Sequence, residues 1–152
     1  MSIAEIGPLV NNAGIITASG LLEFIPIAEI RNLLEVNLIG NIAVTQAFLP
    51  IIRKGHGRIV YMGSITGIMP QPYMAPYSAS KAALDAITVS LRLEPWKIPV
   101  SIIELGIVYT PMWETKLKQL RYTRQKIPRR RPLTSTAPPL TLSLKSLKIK
   151  KG

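Results

Sequence analysis

Residues 58–93 read RIVYMGSITGIMPQPYMAPYSASKAALDAITVSLRL, and the order of elements within them decides the fold class. Arg58 to Met62 is a short run rich in β-branched residues, the pattern of a buried strand. Gly63 to Pro76 contains two glycines and three prolines, which predicts an irregular loop. Tyr77 to Leu93 is Ala-rich along one side, as a closely packed helix requires. Beyond Pro95 and Pro99, Val100 to Leu105 (VSIIEL) reads as another strand, ending at Gly106. Upstream, Ile6 to Val10 reads as a strand that runs into the turn Asn11-Asn12-Ala13-Gly14. Pro26 to Leu49 reads as a long helix, with Ile30, Leu33, Leu34, Asn37, Leu38, Val44, Ala47 and Phe48 recurring at intervals of three and four. Pro26 suits a first turn and Pro50 reads as its stop. Lys54 to Gly57 is a turn carrying His56. The pattern is strand-helix-strand-helix-strand, with crossovers long enough for parallel pairing. It predicts an α/β fold: parallel strands near 6–11, 57–63 and 99–105, and helices near 26–49 and 77–93 covering the sheet.

Composition narrows the function classes. Apolar residues make up 47% of the 152, which fits a globular domain and argues against disorder. No apolar run reaches the roughly 18 residues of a membrane-spanning helix, and MSIAEIGPLV lacks the basic start of a signal peptide. A cytoplasmic setting is expected. There is no cysteine and only one histidine, so neither disulfides nor a dedicated metal site is expected. The net charge of +11 is unevenly distributed. Residues 1–115 hold seven Lys/Arg against eight Asp/Glu, a net −1, whereas residues 116–152 hold twelve Lys/Arg and no acid. The chain thus divides into a near-neutral domain, 1–115, and a basic, Pro-containing tail, 116–152, expected to be poorly structured. A basic tail could bind nucleic acid, but it lacks interleaved aromatics and any folded reader, so nucleic acid is not the expected partner.

The chemistry-bearing residues gather at the predicted carboxyl ends of the strands, where ligands bind in open α/β sheets. Tyr77 and Lys81 stand four apart, one turn along one helix face. A nearby ammonium lowers a phenol from its ordinary pKa of about 10 and makes it a usable proton donor. Taken alone, the pair reads more simply as a surface pairing on a helix. Ser64, thirteen residues before Tyr77, could hydrogen-bond the oxygen that Tyr77 protonates, or could cap a turn. Asn12, Ala13 and Gly14 are small enough to let backbone approach a flat ligand, or form an ordinary turn. Asn37 interrupts an apolar helix face. A buried amide is costly unless satisfied, so it either bonds backbone as a core amide or orders a water or a kink.

Together, Asn-Asn-Ala-Gly at 11–14, Val-Asn-Leu at 36–38, Gly-Ser at 63–64 and Tyr-Ser-Ala-Ser-Lys at 77–81 resemble the signatures of the short-chain dehydrogenase/reductase family. Order and spacing match as well, and Gly106 to Thr110 resembles its nicotinamide-binding segment. The resemblance covers roughly residues 6–115. It implies the C-terminal half of a Rossmann-type doubly wound parallel sheet. It also implies hydride transfer between NAD or NADP and a secondary alcohol or carbonyl substrate, with a lipophilic one such as a steroid or retinoid as the weaker inference. By the same resemblance Tyr77 is the general acid/base, and Lys81 holds the nicotinamide ribose and lowers the tyrosine pKa. Ser64 binds and polarises the substrate oxygen, and Asn37 supports a water-linked proton relay to Lys81. Asn12, Ala13 and Gly14 line the adenosine side, while Val108 backbone and the Thr110 hydroxyl meet the carboxamide. A homo-oligomer built on the two helices is the implied assembly.

The chain departs from the family pattern in three places. Only ten residues precede Asn11, so no Gly-rich phosphate turn stands ahead of Asn-Ala-Gly. Leu105 replaces the family's proline before Gly106, and the Leu93–Trp96 junction is short. After Thr115 the resemblance ends. A truncated or frameshifted gene would explain both ends. The competing reading is therefore a non-catalytic remnant that associates with other chains through exposed edges and faces.

Overall fold

The computed structural model describes residues 7–106 and Val108. Three short runs pair as a parallel sheet in the order β1-β2-β3: β1 Pro8–Asn11, β2 Arg58–Met62 and β3 Val100–Ile103. Pro8 to Asn11 pair with Arg58 to Tyr61, and Ile59 to Met62 pair with Val100 to Ile103. All three predicted strands are present, each slightly shorter than expected.

Alternation along these strands fixes which side is covered. Leu9, Asn11, Ile59, Tyr61, Val100 and Ile102 face one way, and Ile59 and Tyr61 are fully buried. The helices above them are α1 (Ile27–Leu34), α2 (Asn41–Lys54) and α4 (Ala75–Leu93), with the single turn α3 (Ile65–Ile68) between β2 and α4. Ile52 of α2 and Leu84 of α4 meet Ile59, Tyr61 and Val100 in one cluster, supported by Phe48, Leu49, Ile87 and Leu91. Both crossovers step across the sheet in the same direction. Right-handed connections therefore put both helices on one face. The opposite face carries Val10 at 54% and Ile103 at 47% exposure, and among the described residues nothing covers it.

A second cluster sits beyond the carboxyl edge of the sheet, where Ile16, Ala18, Leu33, Met74 and Tyr77 pack together. It joins the loop after β1 to α1 and to the start of α4. A backbone bond from Gly20 N to Tyr73 O at 2.8 Å ties the same two loops.

Three expectations about element boundaries change. First, Pro50 lies inside α2, which runs on to Lys54. Burial of Ile52 in the core outweighs the one donor that proline removes, and the helix closes at the Gly55–Gly57 turn, where Gly55 N bonds Ile51 O at 3.0 Å. Second, the Gly/Pro-rich stretch after Gly63 contains a helical turn, α3, because Ser64 caps it. Third, α4 starts at Ala75, with Pro76 in the first turn, where a missing N–H costs nothing. Between α1 and α2 the helix widens into a π-helical segment, Glu35–Gly40, so the backbone is helical from Ile27 to Lys54. Over these 28 residues a window of mean hydropathy 1.3 is long and apolar enough to cross a membrane, although no uninterrupted apolar run suggested it. Here the helix lies on β1, held by the polar contacts of Asn37, Asn41 and Thr45 described below. The 116–152 tail lies outside the described residues.

Candidate active site

β2 ends at Met62, and α4 places Lys81 beside that end. Lys81 Nζ donates to the Met62 carbonyl at 2.6 Å. Only 4% of the residue is exposed, and among the described residues that carbonyl is the hydrogen-bond partner of the ammonium. Burial pulls the Lys81 pKa below its ordinary value, with the charge of Glu104 partly opposing this.

Tyr77 stands one turn before Lys81 and is also buried. Its ring centroid lies 5.8 Å from Lys81 Nζ. Sequence reasoning expected the lysine to bring the phenol down. Instead burial raises the Tyr77 pKa above its ordinary value, the Ser64 side chain offsets part of the rise, and the Glu104 charge adds to it. Burial of the phenol outweighs the effects of its neighbours.

Ser64 is buried at the turn after β2. Its hydroxyl accepts from Thr66 N at 3.3 Å and pairs with Thr66 Oγ1 at 3.0 Å. The turn-capping alternative is therefore realised, and the hydroxyl faces Tyr77 at the same time. Across thirteen residues of sequence, the fold brings the Ser64 side chain near enough at the sheet's carboxyl edge to act on the Tyr77 phenol.

Asn37 is fully buried in the π-helical segment. Its Oδ1 accepts from Ile15 N at 2.8 Å, and its Nδ2 donates to Ile15 O at 3.0 Å and to Ser80 Oγ at 3.2 Å. Of the alternatives read from sequence, the core amide bonding backbone is the one observed, and it sits in a locally widened helix. Ser80 Oγ in turn donates to Tyr77 O at 2.7 Å. Asn37 thus joins the loop after β1 to the helix that carries Tyr77 and Lys81.

Asn12 and Ala13 are exposed along that loop. A Cβ at Gly14 would stand 3.6 Å from Lys81 Nζ and 3.7 Å from Asn37 Oδ1, so a bare glycine surface borders the ammonium. Val108 is 51% exposed, and Thr110 lies outside the described residues.

Sequence reasoning missed several members of this network. Asn41 Nδ2 donates to Ala13 O at 3.2 Å, Val36 O at 3.1 Å and Asn37 O at 2.9 Å. The last two satisfy carbonyls within the π-helical segment. Thr45 Oγ1 donates to Asn41 O at 2.8 Å, accepts from Asn11 Nδ2 at 2.9 Å and meets the Tyr61 hydroxyl at 2.6 Å. The available signal was a polar stripe at four-residue spacing, Asn37, Asn41 and Thr45, along an otherwise apolar helix face. Glu104 and Asp85 carry no signal of their own, since Glu104 falls within the predicted strand Val100 to Leu105 and Asp85 within the predicted helix Tyr77 to Leu93.

The donors at this edge fit the nicotinamide-ribose end of a dinucleotide. Lys81 offers further N–H donors beside the Gly14 surface, and the hydroxyls of Ser64 and Tyr77 stand next to it. Among the described residues there is no Gly-rich strand-to-helix turn to cradle a pyrophosphate.

A family model described as short chain dehydrogenase matches residues 2–121. Human 11-beta-hydroxysteroid dehydrogenase type 2 is 42% identical over 120 residues, which is 74% of this chain and 29% of that protein. Among solved structures, 3-ketoacyl-(acyl-carrier-protein) reductase from Brucella melitensis, complexed with NADH, superposes with a TM-score of 0.70 at 27% identity. It covers 75% of this chain and 50% of its own. An alcohol dehydrogenase from the archaeon Thermococcus sibiricus, complexed with 5-hydroxy-NADP, gives a TM-score of 0.66 at 25% identity, over 70% and 45% of the two chains. The chain thus spans under half the length of the curated relatives it matches. With its parallel α/β sheet, its Ser64–Tyr77–Lys81 cluster and a family match over most of its length, the chain belongs to the short-chain dehydrogenase/reductase family.

Proposed function

We propose that these residues form the catalytic half of an NAD(P)-dependent oxidoreductase acting between a secondary alcohol and the corresponding carbonyl compound. The observation that carries this reading is the convergence of Ser64, Tyr77 and Lys81, all buried, at the carboxyl edge of a parallel sheet. In the reduction direction Tyr77 gives its phenolic proton to the substrate oxygen, and in oxidation it takes that proton back. Ser64 donates a hydrogen bond to the same oxygen and fixes its distance from Tyr77. Lys81 donates to the nicotinamide ribose and stabilises negative charge on the phenol. Asn12, Ala13 and Gly14 form the wall along which the cofactor lies, and Asn37 holds that wall to the catalytic helix. When bound, the nicotinamide supplies or accepts the hydride. The choice between NAD and NADP is open in both directions, since similar structures are described with each.

The substrate is proposed to be lipophilic and of the hydroxysteroid kind. The name of the human relative supports this, as does the exposed apolar rim of Ile68 and Met69 close to Ser64. A second reading, an association module, is favoured by one observation: the uncovered sheet face with Val10 and Ile103.

Cofactor titration separates the two. Among the described residues the donors reach the nicotinamide ribose and no Gly-rich strand-to-helix turn anchors the phosphates, so these residues by themselves should bind NAD(P)H weakly. Supplying a fragment with a Gly-rich βαβ unit should raise carbonyl reduction, and Tyr77→Phe should then lower it by about 10²-fold or more. Activity that survives Tyr77→Phe in the supplemented enzyme would overturn the catalytic reading.

A further inference from the structure

The mechanism leaves one group unused. Glu104 follows β3 directly, and its carboxylate lies against the α-carbon of Gly63. A Cβ on Gly63 would stand 2.5 Å from Glu104 Oε1 and 2.8 Å from Oε2. Gly63 is the residue between Met62, whose carbonyl receives Lys81, and Ser64. Both Glu104 oxygens are shut off from solvent, and neither meets hydrogen-bond geometry with any group. A buried carboxylate in that condition is costly unless an opposite charge is close or a proton is bound.

Both remedies are at hand. Lys81 is a buried ammonium whose bonded partner is a neutral carbonyl. Asp85 lies one turn beyond it on α4, and its Oδ2 fills the space that a side chain at Gly67 would need, 3.0 Å from that Cβ position. Two glycines, 63 and 67, thus make room for two carboxylates beneath the Ser64–Tyr77–Lys81 cluster.

We propose that Glu104 is a positioning residue: it is the counter-charge that keeps Lys81 protonated, and the Asp85 side chain works against that charge. The inference rests on the proposed function only for the role given to Lys81. Among the described residues, the titratable groups that act on Glu104 are Asp85 and Lys81 from α4. The β2 end adds the Ser64 backbone, and Glu104 itself acts on Tyr77. The balance of these forces agrees with the geometry. Burial is the largest cause that raises the Glu104 carboxyl, to about 7, and Asp85 adds to the rise, while the Ser64 backbone and Lys81 pull it down. The Asp85 charge thus holds the Glu104 carboxyl closer to its neutral form. Near neutral pH a small change in this pair alters how much negative charge Lys81 sees.

The test reads Lys81 itself, without cofactor or substrate. In the full chain labelled with ¹³C-lysine, the Lys81 Cε–Hε resonance, assigned by its loss in Lys81→Arg, is followed from pH 6 to 11. Glu104→Gln should move the Lys81 midpoint down by about one pH unit, a roughly tenfold loss of proton affinity. Asp85→Asn should instead lower the Glu104 midpoint, because the charge that pushes that carboxyl up is gone. If Glu104→Gln folds and leaves the Lys81 midpoint in place, the proposal is wrong. If Glu104→Gln does not fold, the unsubstituted chain decides by ¹³C-carboxyl titration. A Glu104 midpoint near 7 that falls in Asp85→Asn supports the proposal, and an ordinary midpoint near 4.5 rejects it. None of these readouts depends on turnover, so a failed Tyr77 assignment and a failed Glu104 assignment give different results.

Discussion

Asn37→Ala offers the sharpest test of how this fold holds its site together. The amide makes a reciprocal pair with the Ile15 backbone, 2.8 Å from N to Oδ1 and 3.0 Å from Nδ2 to O. It sits at 0% exposure, so water does not reach it in the folded chain. Truncation to alanine leaves two backbone groups of Ile15 without partners. Each costs about 1–3 kcal/mol if it stays buried, and Ile15 is only half-buried, so the lower part of that range applies. The bond to Ser80 adds little, because Ser80 Oγ keeps its own partner at Tyr77 O. The expected loss is therefore about 2–4 kcal/mol, a large share of the roughly 5–15 kcal/mol that holds a typical domain folded. With a urea slope of about 1–3 kcal/mol per molar, the unfolding midpoint should fall by about 1 M or more. Asn37→Asp adds a directional check. It keeps the acceptor for Ile15 N, loses the donor to Ile15 O and buries a charge at neutral pH, so its deficit should shrink as pH falls and the carboxylate is protonated. A loss under about 0.5 kcal/mol for Asn37→Ala would show that the loop after β1 is not held by this amide, and would remove the structural role assigned to it.

The Glu104 carboxyl predicts a pH dependence of stability. Glu104 titrates near 7 in the folded chain and near its ordinary 4.5 when unfolded, so between these values the folded chain holds a proton that the unfolded chain has released. Its contribution therefore makes stability fall as pH rises from about 4.5 to about 7; urea midpoints across this window should slope downward, and Glu104→Gln should flatten the slope. A second expectation concerns the turn after α2, where His56 holds a left-handed conformation with φ of 49°. His56→Gly should raise thermal stability by about 0.5–1 kcal/mol, because glycine adopts that conformation without a Cβ clash, and a drop in melting temperature would contradict it.

The three strands were legible because each is short, β-branched and bounded by Gly, Pro or Asn. The convergence of Ser64, Tyr77 and Lys81 was legible because two of them share a helix face and the third ends a strand that the same helix follows. Other features were hidden for identifiable reasons. Helix α2 passes Pro50 because Ile52 gains more from burial than one amide bond loses, and that comparison requires the tertiary contact. The π-helical widening at Glu35–Gly40 is tied to Asn41 reaching back to the Val36 and Asn37 carbonyls, whereas periodicity alone suggested one regular helix. Glu104 was out of reach because its meeting with Gly63 depends on the β2–β3 register, in which Met62 pairs with Ile103. The pKa of Tyr77 was read in the wrong direction, since helical spacing reveals a neighbour but not how deeply both groups are buried.

The two sets of polar bonds divide the labour of fixing the site. Asn37, Asn41 and Thr45 fasten the helix Ile27–Lys54 to Asn11, Ala13 and Ile15, and so to the loop after β1. Lys81 fastens α4 to the end of β2. Between them, Asn37 reaches Ser80, and Ser80 reaches the Tyr77 carbonyl, which closes the link from one helix to the other. Apolar packing alone would leave these elements free to slide, since Ile, Leu and Val contacts are tolerant of small shifts, whereas hydrogen bonds fix distance and angle. The cost is that nearly every side chain positioning Tyr77 and Lys81 also satisfies buried backbone or sits in the core. Loss of activity in a variant of this network is therefore uninformative until its stability is known. Tyr77→Phe is the cleaner probe, because the ring stays in the Ile16–Leu33–Met74 cluster and only the phenolic oxygen is lost.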